Sequence, residues 1–418
     1  MTEFCINSVS KSKLADEGIS VKELLELLDV NDELNKALLK ALGIDRLKDD
    51  FINIAGAKDL VTIQKAINKR FYKEDFVSSL DNISVYSNDS KLAFCFTDLS
   101  KSEYFSQLNL SSMDSTPLYS SKSDFFSWLY GMDKYANELI KEGLDDILSH
   151  NLDLLRKKEI GSRERKYRIL QDLNNKQFYV RAIISLDRYN NYDNNIAIVI
   201  ALISLHKKTK ELGVEYALNR IEYNESHMRI FFEEKGEKKL GELGFVKNLI
   251  EVSNDEVKRE ALKFEAVSII EFIDSENNLQ ELIIQPSSSP RPKIKTKILA
   301  VAHSMSPKTF VEKLVEIDNS VKIHNELFEL ISEISKIQNP RQIMFLVKDI
   351  VKNARSESFK KHRDGIQKII DTHVVDNMIQ LLTLFKKLEL VTENDIEASE
   401  YVRYIIYQSL IERKKQSL

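Results

Sequence analysis

Cysteine is nearly absent from this chain. Cys5 and Cys95 are the only two in 418 residues and belong to no paired motif, which excludes a disulfide framework and a cysteine-rich zinc site. Six prolines and eleven glycines leave few tight turns and favour long helices. No apolar run reaches the roughly 18 residues of a membrane span, and no apolar run follows a basic start. The expectation is a soluble, cytoplasmic chain with no membrane partner. Charge of one sign is missing too. With 61 Lys and Arg against 65 Asp and Glu, the net charge of -4 rules out a generally basic nucleic-acid coat. A local basic groove stays open, because steering depends on charge distribution rather than on the sum. The seven histidines show no HExxH or paired spacing. There is no glycine-rich phosphate loop and no Gly-x-Ser-x-Gly elbow, so neither metal nor cofactor is expected.

What is present is ordinary globular composition, 43% hydrophobic and 30% charged, on a length that allows two or three domains. Residues 20–43 read as two short helices: Ser20 and Glu23 have capping-box spacing, and Gly43 closes the second. "ISVYSNDSKLAFCF" (83–96) reads as a hairpin, and the Ser-rich stretch 98–116 as a boundary. Helical segments follow from Ser121 to Gly131 and over 135–155. From Phe178 the pattern is strand 178–185, helix 196–211, a hairpin turning near Asn224–Ser226, and strands at 243–252 and 261–273. "QPSSSPRPKIKTK" (285–297) holds three of the six prolines and reads as an exposed linker. Beyond Lys308 the spacing of Ile323, Leu327, Leu330, Ile331, Ile334 and Ile337 is helical. The expectation is an α+β fold: an N-terminal helical and hairpin region (1–115), a central mixed domain (116–284), a linker (285–300) and a C-terminal helical bundle (301–418).

"YVRAIISLDRYNNYDNN" (179–195) crowds polar groups around one turn. Its "RAIISLDRYNNYDN" is similar to the "RAFLSDRYRRLDN" block of the phage/plasmid-like proteins, domain of unknown function family 932. "FSWLYGMDKYANELIKEGLDDILSHNLDLL" (126–155) resembles that family's "QLAxRLGVPxxYLxxLPxxLxxxNLNxWL" helix pair, and "VSNDEVKREALKF" (252–264) its "ISNSEVGxGALxV" strand. Order and spacing agree over roughly residues 115–275. There are departures: Leu186 is an extra residue, Lys258 and Glu260 replace glycines, and "SIIEFID" replaces a Cys-Thr-Asn-Gly strand. The resemblance implies a protein of a phage, plasmid or anti-phage defence locus and carries over no catalytic residue.

Two chemical readings of the corner stand side by side. In one, Arg181 and Arg188 hold phosphate while Tyr189 and Tyr192 stack on bases. In the other, Asp193 and Asn194 cap the following helix and Arg188 pairs with a carboxylate. The basic runs "RKKEIGSRERKYR" (156–168), "RPKIKTK" and "FKKHRDGIQK" add Arg156, Lys157, Arg165 and Lys166 as candidate backbone contacts. Arg355 and His362 are expected two turns apart on one helix, the Arg-x6-His spacing of helical nucleotide-binding nucleases, with His362 as base or acid and Arg355 steadying phosphate. The leading expectation is a non-enzymatic protein that binds nucleic acid, single strands before duplex. The alternatives are a self-assembling or partner-binding component using the C-terminal helices, and a nuclease.

Overall fold

The computed structural model describes residues 4, 7–88, 91–157, 162–186, 189–257, 260–286, 294–354 and 356–412. Its fold is α+β, with antiparallel sheets and a helical C-terminal region. The chain forms two compact units. One comprises Met1–Phe4, Ile63–Asn191 and Val257–Arg259; the other comprises Cys5–Thr62, Tyr192–Glu256 and Glu260–Leu418.

The first unit is built on a six-stranded sheet. Its order is Phe71–Ser79, Glu164–Asp172, Gln177–Ile184, Met113–Pro117, Lys91–Phe96 and Ile83–Asn88. The expected hairpin is there, although residues 89 and 90 at its turn lie outside the described residues. The stretch 98–116 is not a boundary. It contains the helix Glu103–Gln107, capped by Ser102, and the strand Met113–Pro117, which joins the sheet interior through parallel pairing with Gln177–Ile184. Of the serines that make this stretch look like a loop, Ser102 caps a helix and Ser115 is buried, donating to the Phe94 carbonyl at 3.4 Å. Phe76, Phe94, Phe96, Phe125, Phe126 and Tyr167 fill the core, several of them edge to face. Helices Asp133–Lys141 and Asp145–Leu155 replace the single helix expected over 135–155, because Gly143 turns the chain at φ +69°.

The second unit holds an all-antiparallel sheet of eight strands. Its main path is Asn7–Ser10, Tyr216–Tyr223, His227–Glu234, Phe245–Asp255, Glu260–Ile273 and Leu279–Ile284. Lys238–Lys239 pairs with Phe245–Asp255, and Lys297–Ala302 with Glu260–Ile273. The helix Asn194–Leu212 is apolar nearly all round ("IAIVIALISL") and accordingly buried. In the small N-terminal helices, Ser20 accepts from the Glu23 amide at 3.2 Å, and Gly43 takes φ +65° after Glu33–Ala41.

Two boundaries need correction here. Leu279–Ile284 and Lys297–Ala302 pair with the same long strand Glu260–Ile273, so the segment between them joins two strands of one sheet and does not link domains. Residues 287–293 lie outside the described residues, but Gln285, Ile294 and Thr296 are buried rather than exposed. The C-terminal helices are likewise no separate bundle. Leu327, Ile331, Val347, Ile366, Leu382 and Phe385 share one apolar core with Val246, Ile270, Phe272 and Leu282 of the sheet.

The cap of the long helix gives a direct test. Asp193 accepts from the Ile196 amide at 2.9 Å. Asp193→Ala should cost about 0.5–2 kcal/mol, seen as a lower urea midpoint at an unchanged m-value. An unaltered midpoint would show that this cap contributes nothing.

Candidate nucleic-acid interface

The strand Glu164–Asp172 opens on the charged run Glu164–Lys166 and carries the apolar Ile169 and Leu170 further along. Alternation sends Arg165 to the same face as Tyr167, which is core, and Lys166 to the opposite face with Arg168. Beneath Arg165 runs the segment Asp124–Leu129. It spends Phe125, Phe126 and Leu129 on the core and turns Trp128, the chain's single tryptophan, outward at 48% exposure. The Arg165 guanidinium lies 5.1 Å from the Trp128 ring centre and donates to the Glu164 carbonyl at 2.8 Å. Arg156 closes the other side. It donates to the Tyr130 hydroxyl at 3.3 Å, to Asp153 at 2.8 Å and to the Ile83 carbonyl. Arg163 and Lys157 are exposed, and Lys166 is half-buried. Burial drives the Tyr167 phenol well up, Tyr130 adds to this, and the charges of Arg165 and Arg156 oppose it. Arg156 and Arg165 therefore both act on Tyr167 in the core of this unit.

The polar corner is not a surface of the same kind. Arg181 is 0% exposed and sits at a bulge, where the register passes from Arg168↔Ala182 to Ile169↔Val180. Leu186 lies beyond the strand's end. Asp187 and Arg188 lie outside the described residues. Tyr189 is engaged by Arg168, the last residue of the basic run 156–168. The Arg168 guanidinium donates to the Tyr189 hydroxyl at 2.8 Å, lies 5.0 Å from its ring centre, and also bonds Asp75 at 3.0 Å and Asn191.

Tyr192 belongs to the other unit. It is buried, donates to the Met305 carbonyl at 2.6 Å and packs edge-on against Phe310, and burial pushes its phenol up to about 12. Asn194 is buried as well. Its amide donates to Glu256 at 3.0 Å, and its side-chain oxygen accepts from Asn254 at 2.8 Å. Capping and packing account for Asp193, Asn194 and Tyr192.

Only one residue of the Arg-x6-His pair, His362, is described. Pro340–Asn353 ends before an extended Ala354, and Ser356 starts the short helix Glu357–Lys360. His362 precedes the separate helix Arg363–Thr372, with its ring nitrogen 3.4 Å from Asp395. Arg355 lies outside the described residues; of the described residues beside it, Ala354 is extended and Ser356 is the cap of Glu357–Lys360.

A buried charge network in the second unit has no local sequence signal at all. Glu222, Arg229, Glu251 and Glu265 project from four neighbouring strands onto one face of the sheet. The helix Ile396–Tyr407 brings Arg403, which grips both oxygens of Glu222 at 2.5 and 3.2 Å. Arg229 reaches Glu251 at 3.5 Å, Glu222 at 3.9 Å and Glu400. Burial works to raise the Glu222 carboxyl, but Arg403, then Arg229 and Arg220, overcome it and bring the group down to about 2. Glu251 and Glu265 are shifted the opposite way. Burial raises both, and Glu251 adds to the rise at Glu265.

Among the described residues, no helix is long and apolar enough to cross a membrane. Among them, no group of three or more His, Cys, Asp or Glu is arranged to hold a metal ion. No protein family, curated protein or solved structure matches the chain.

Removing Arg403 leaves a carboxylate buried without its main partner. Arg403→Ala should therefore destabilise the protein by about 3–5 kcal/mol in urea unfolding at neutral pH. The sign of the pH dependence follows from the depressed carboxyl. The Glu222 contribution is present above its ordinary value of 4.5 and lost as pH falls from there toward about 2. Arg403→Ala should abolish that acid-side loss, and an unchanged acid limb would show that the pair is not its source.

Proposed function

We propose that this chain is a non-enzymatic nucleic-acid-binding protein that holds single strands against Trp128 and Arg165. What supports the reading is one observation: the only tryptophan is half exposed, with an arginine over its ring, at the head of a basic strand. A stacking face beside cations is how proteins hold single strands without reading their sequence. Arg163, Lys166 and Lys157 supply further charge on this unit, and Arg156 frames the site. The resemblance to the phage/plasmid-like family sets the proposed context, a phage, plasmid or anti-phage defence locus. A second reading, self-assembly through the C-terminal helices, draws support from Phe345 and Leu346, adjacent on Pro340–Asn353 and 57% and 40% exposed.

Because Trp128 is the sole tryptophan, its fluorescence reports the site directly. Titration with single-stranded oligonucleotides should quench it, with an affinity that falls as salt rises. Arg165→Ala should reduce the salt slope by about 0.7, the value of one phosphate on a single strand. Trp128→Ala, followed by filter binding, should cost roughly 1–3 kcal/mol while leaving the slope alone. If neither DNA nor RNA strands quench the wild-type protein at low salt, the reading falls. A concentration-dependent oligomer lost in Phe345→Asp would then favour self-assembly.

A further inference from the structure

Glu251 and Glu265 face each other across paired strands, directly opposite in the register. Opposed side chains in an antiparallel pair hold their Cβ atoms only ~4.5–5.5 Å apart. Both are buried, at 2% and 7% exposure, and too enclosed to meet a substrate. Among the described residues, the charged groups around them fall short of neutralising them. Arg229 on His227–Glu234 reaches Glu251 at 3.5 Å but also serves Glu222 and Glu400. Arg403 on Ile396–Tyr407 is committed to Glu222 on Tyr216–Tyr223, and Lys263 acts along the same strand as Glu265.

The hydrogen-bond inventory points the same way. Donors are few: the Thr296 hydroxyl gives to Glu265 at 2.6 Å, and the Gln285 amide gives to Glu251. Gln285 is itself 3% exposed, and its Oε1 has no hydrogen-bond partner among the described residues. Carboxylate oxygens accept only, so a buried group of acceptors is short of a donor that a protonated carboxyl would provide.

We propose that Glu251 and Glu265 share one proton and form a buried proton-binding site in the sheet. The site is wired to the helix Ile396–Tyr407 through Arg229, Glu222 and Arg403. Two like charges this close cannot both ionise at low cost, and burial penalises each ion separately. The proton belongs to the pair rather than to either residue. The folded protein binds this proton at pH values where the unfolded chain has already lost it. Stability from the site is therefore full below the ordinary carboxylate value and is lost as pH rises toward neutrality. This is the reverse of the Glu222 trend.

Two measurements on the full chain test the site. Infrared spectra of the folded wild type on the acid side of neutrality should show the carbonyl band of a protonated carboxylic acid, absent from Glu265→Gln. The urea midpoint of the wild type should fall between about pH 5 and about pH 8 with the slope of one proton. Glu265→Gln should flatten that fall, because an uncharged amide replaces the shared acid. Should that variant not fold, Thr296→Val keeps the packing and removes the one hydroxyl that favours the ionised form of Glu265. The fall should then move to higher pH. A wild type without the acid band, or a Thr296→Val profile that coincides with the wild type, overturns the proposal.

Discussion

An arginine inside a protein stays charged, so burying one obliges the fold to gather carboxylates around it. The second unit buries two, Arg229 on a strand and Arg403 on the last long helix, against Glu222, Glu251, Glu265 and Glu389. This obligation sets much of the unit's design. Glu222 must stand on the strand beside Arg229 and also face the helix that carries Arg403. The Arg403 guanidinium lies 5.3 Å from the Phe231 ring centre, which shields the pair on its apolar side. An apolar cluster of Phe231, Leu249, Val267, Ile269 and Ile283 occupies the same face of the sheet as the charges. Charge and grease thus divide one surface. The division leaves little freedom for the C-terminal helix to slide, since a shift of one turn would strand both ions.

The same accounting sorts the basic residues of the first unit. Arg168 is spent on Asp75, Tyr189 and Asn191, and Arg156 on Asp153 and backbone; these are structural ties. Arg165 is different because its partner is an exposed ring rather than a carboxylate, which leaves its charge uncancelled. Lys157 and Arg163 remain at the surface. A count of basic residues along the sequence cannot distinguish spent charge from available charge. Their partners in the fold can.

Local features were legible wherever a few neighbouring residues decide the outcome. The Ser20 and Asp193 caps, the Gly43 stop, the hairpin turn at Asn224–Ser226 and the helical stripe from Ile323 to Ile337 all follow from short-range stereochemistry. The misreadings arose where distant partners decide. Met113–Pro117 is polar enough to read as a loop, yet it is a strand because Phe94 and Phe178 flank it on either side. The Pro- and Ser-rich run at 285–297 looks like a tether, yet both its ends are held inside the sheet by Glu251 and Glu265. Arg403 and Glu222 lie 181 positions apart, and nothing near either one announces the other. Trp128 was overlooked for a related reason, since helical spacing alone assigns it to no face.

The order of the chain through the two units has a consequence for synthesis. The first unit is an insertion: its main segment, Ile63–Asn191, lies between two parts of the second. A ribosome completes all six strands of its sheet by residue 184, before most of the other sheet exists. Asn7–Ser10, made among the first, pairs with Tyr216–Tyr223 and must wait for more than 200 residues to be added. At about 5–20 residues per second that delay is roughly 10–40 seconds, during which Leu24, Leu28 and Leu38 have no completed core to enter. The nascent helices that carry these leucines must therefore keep their apolar faces unpaired until the second sheet is made.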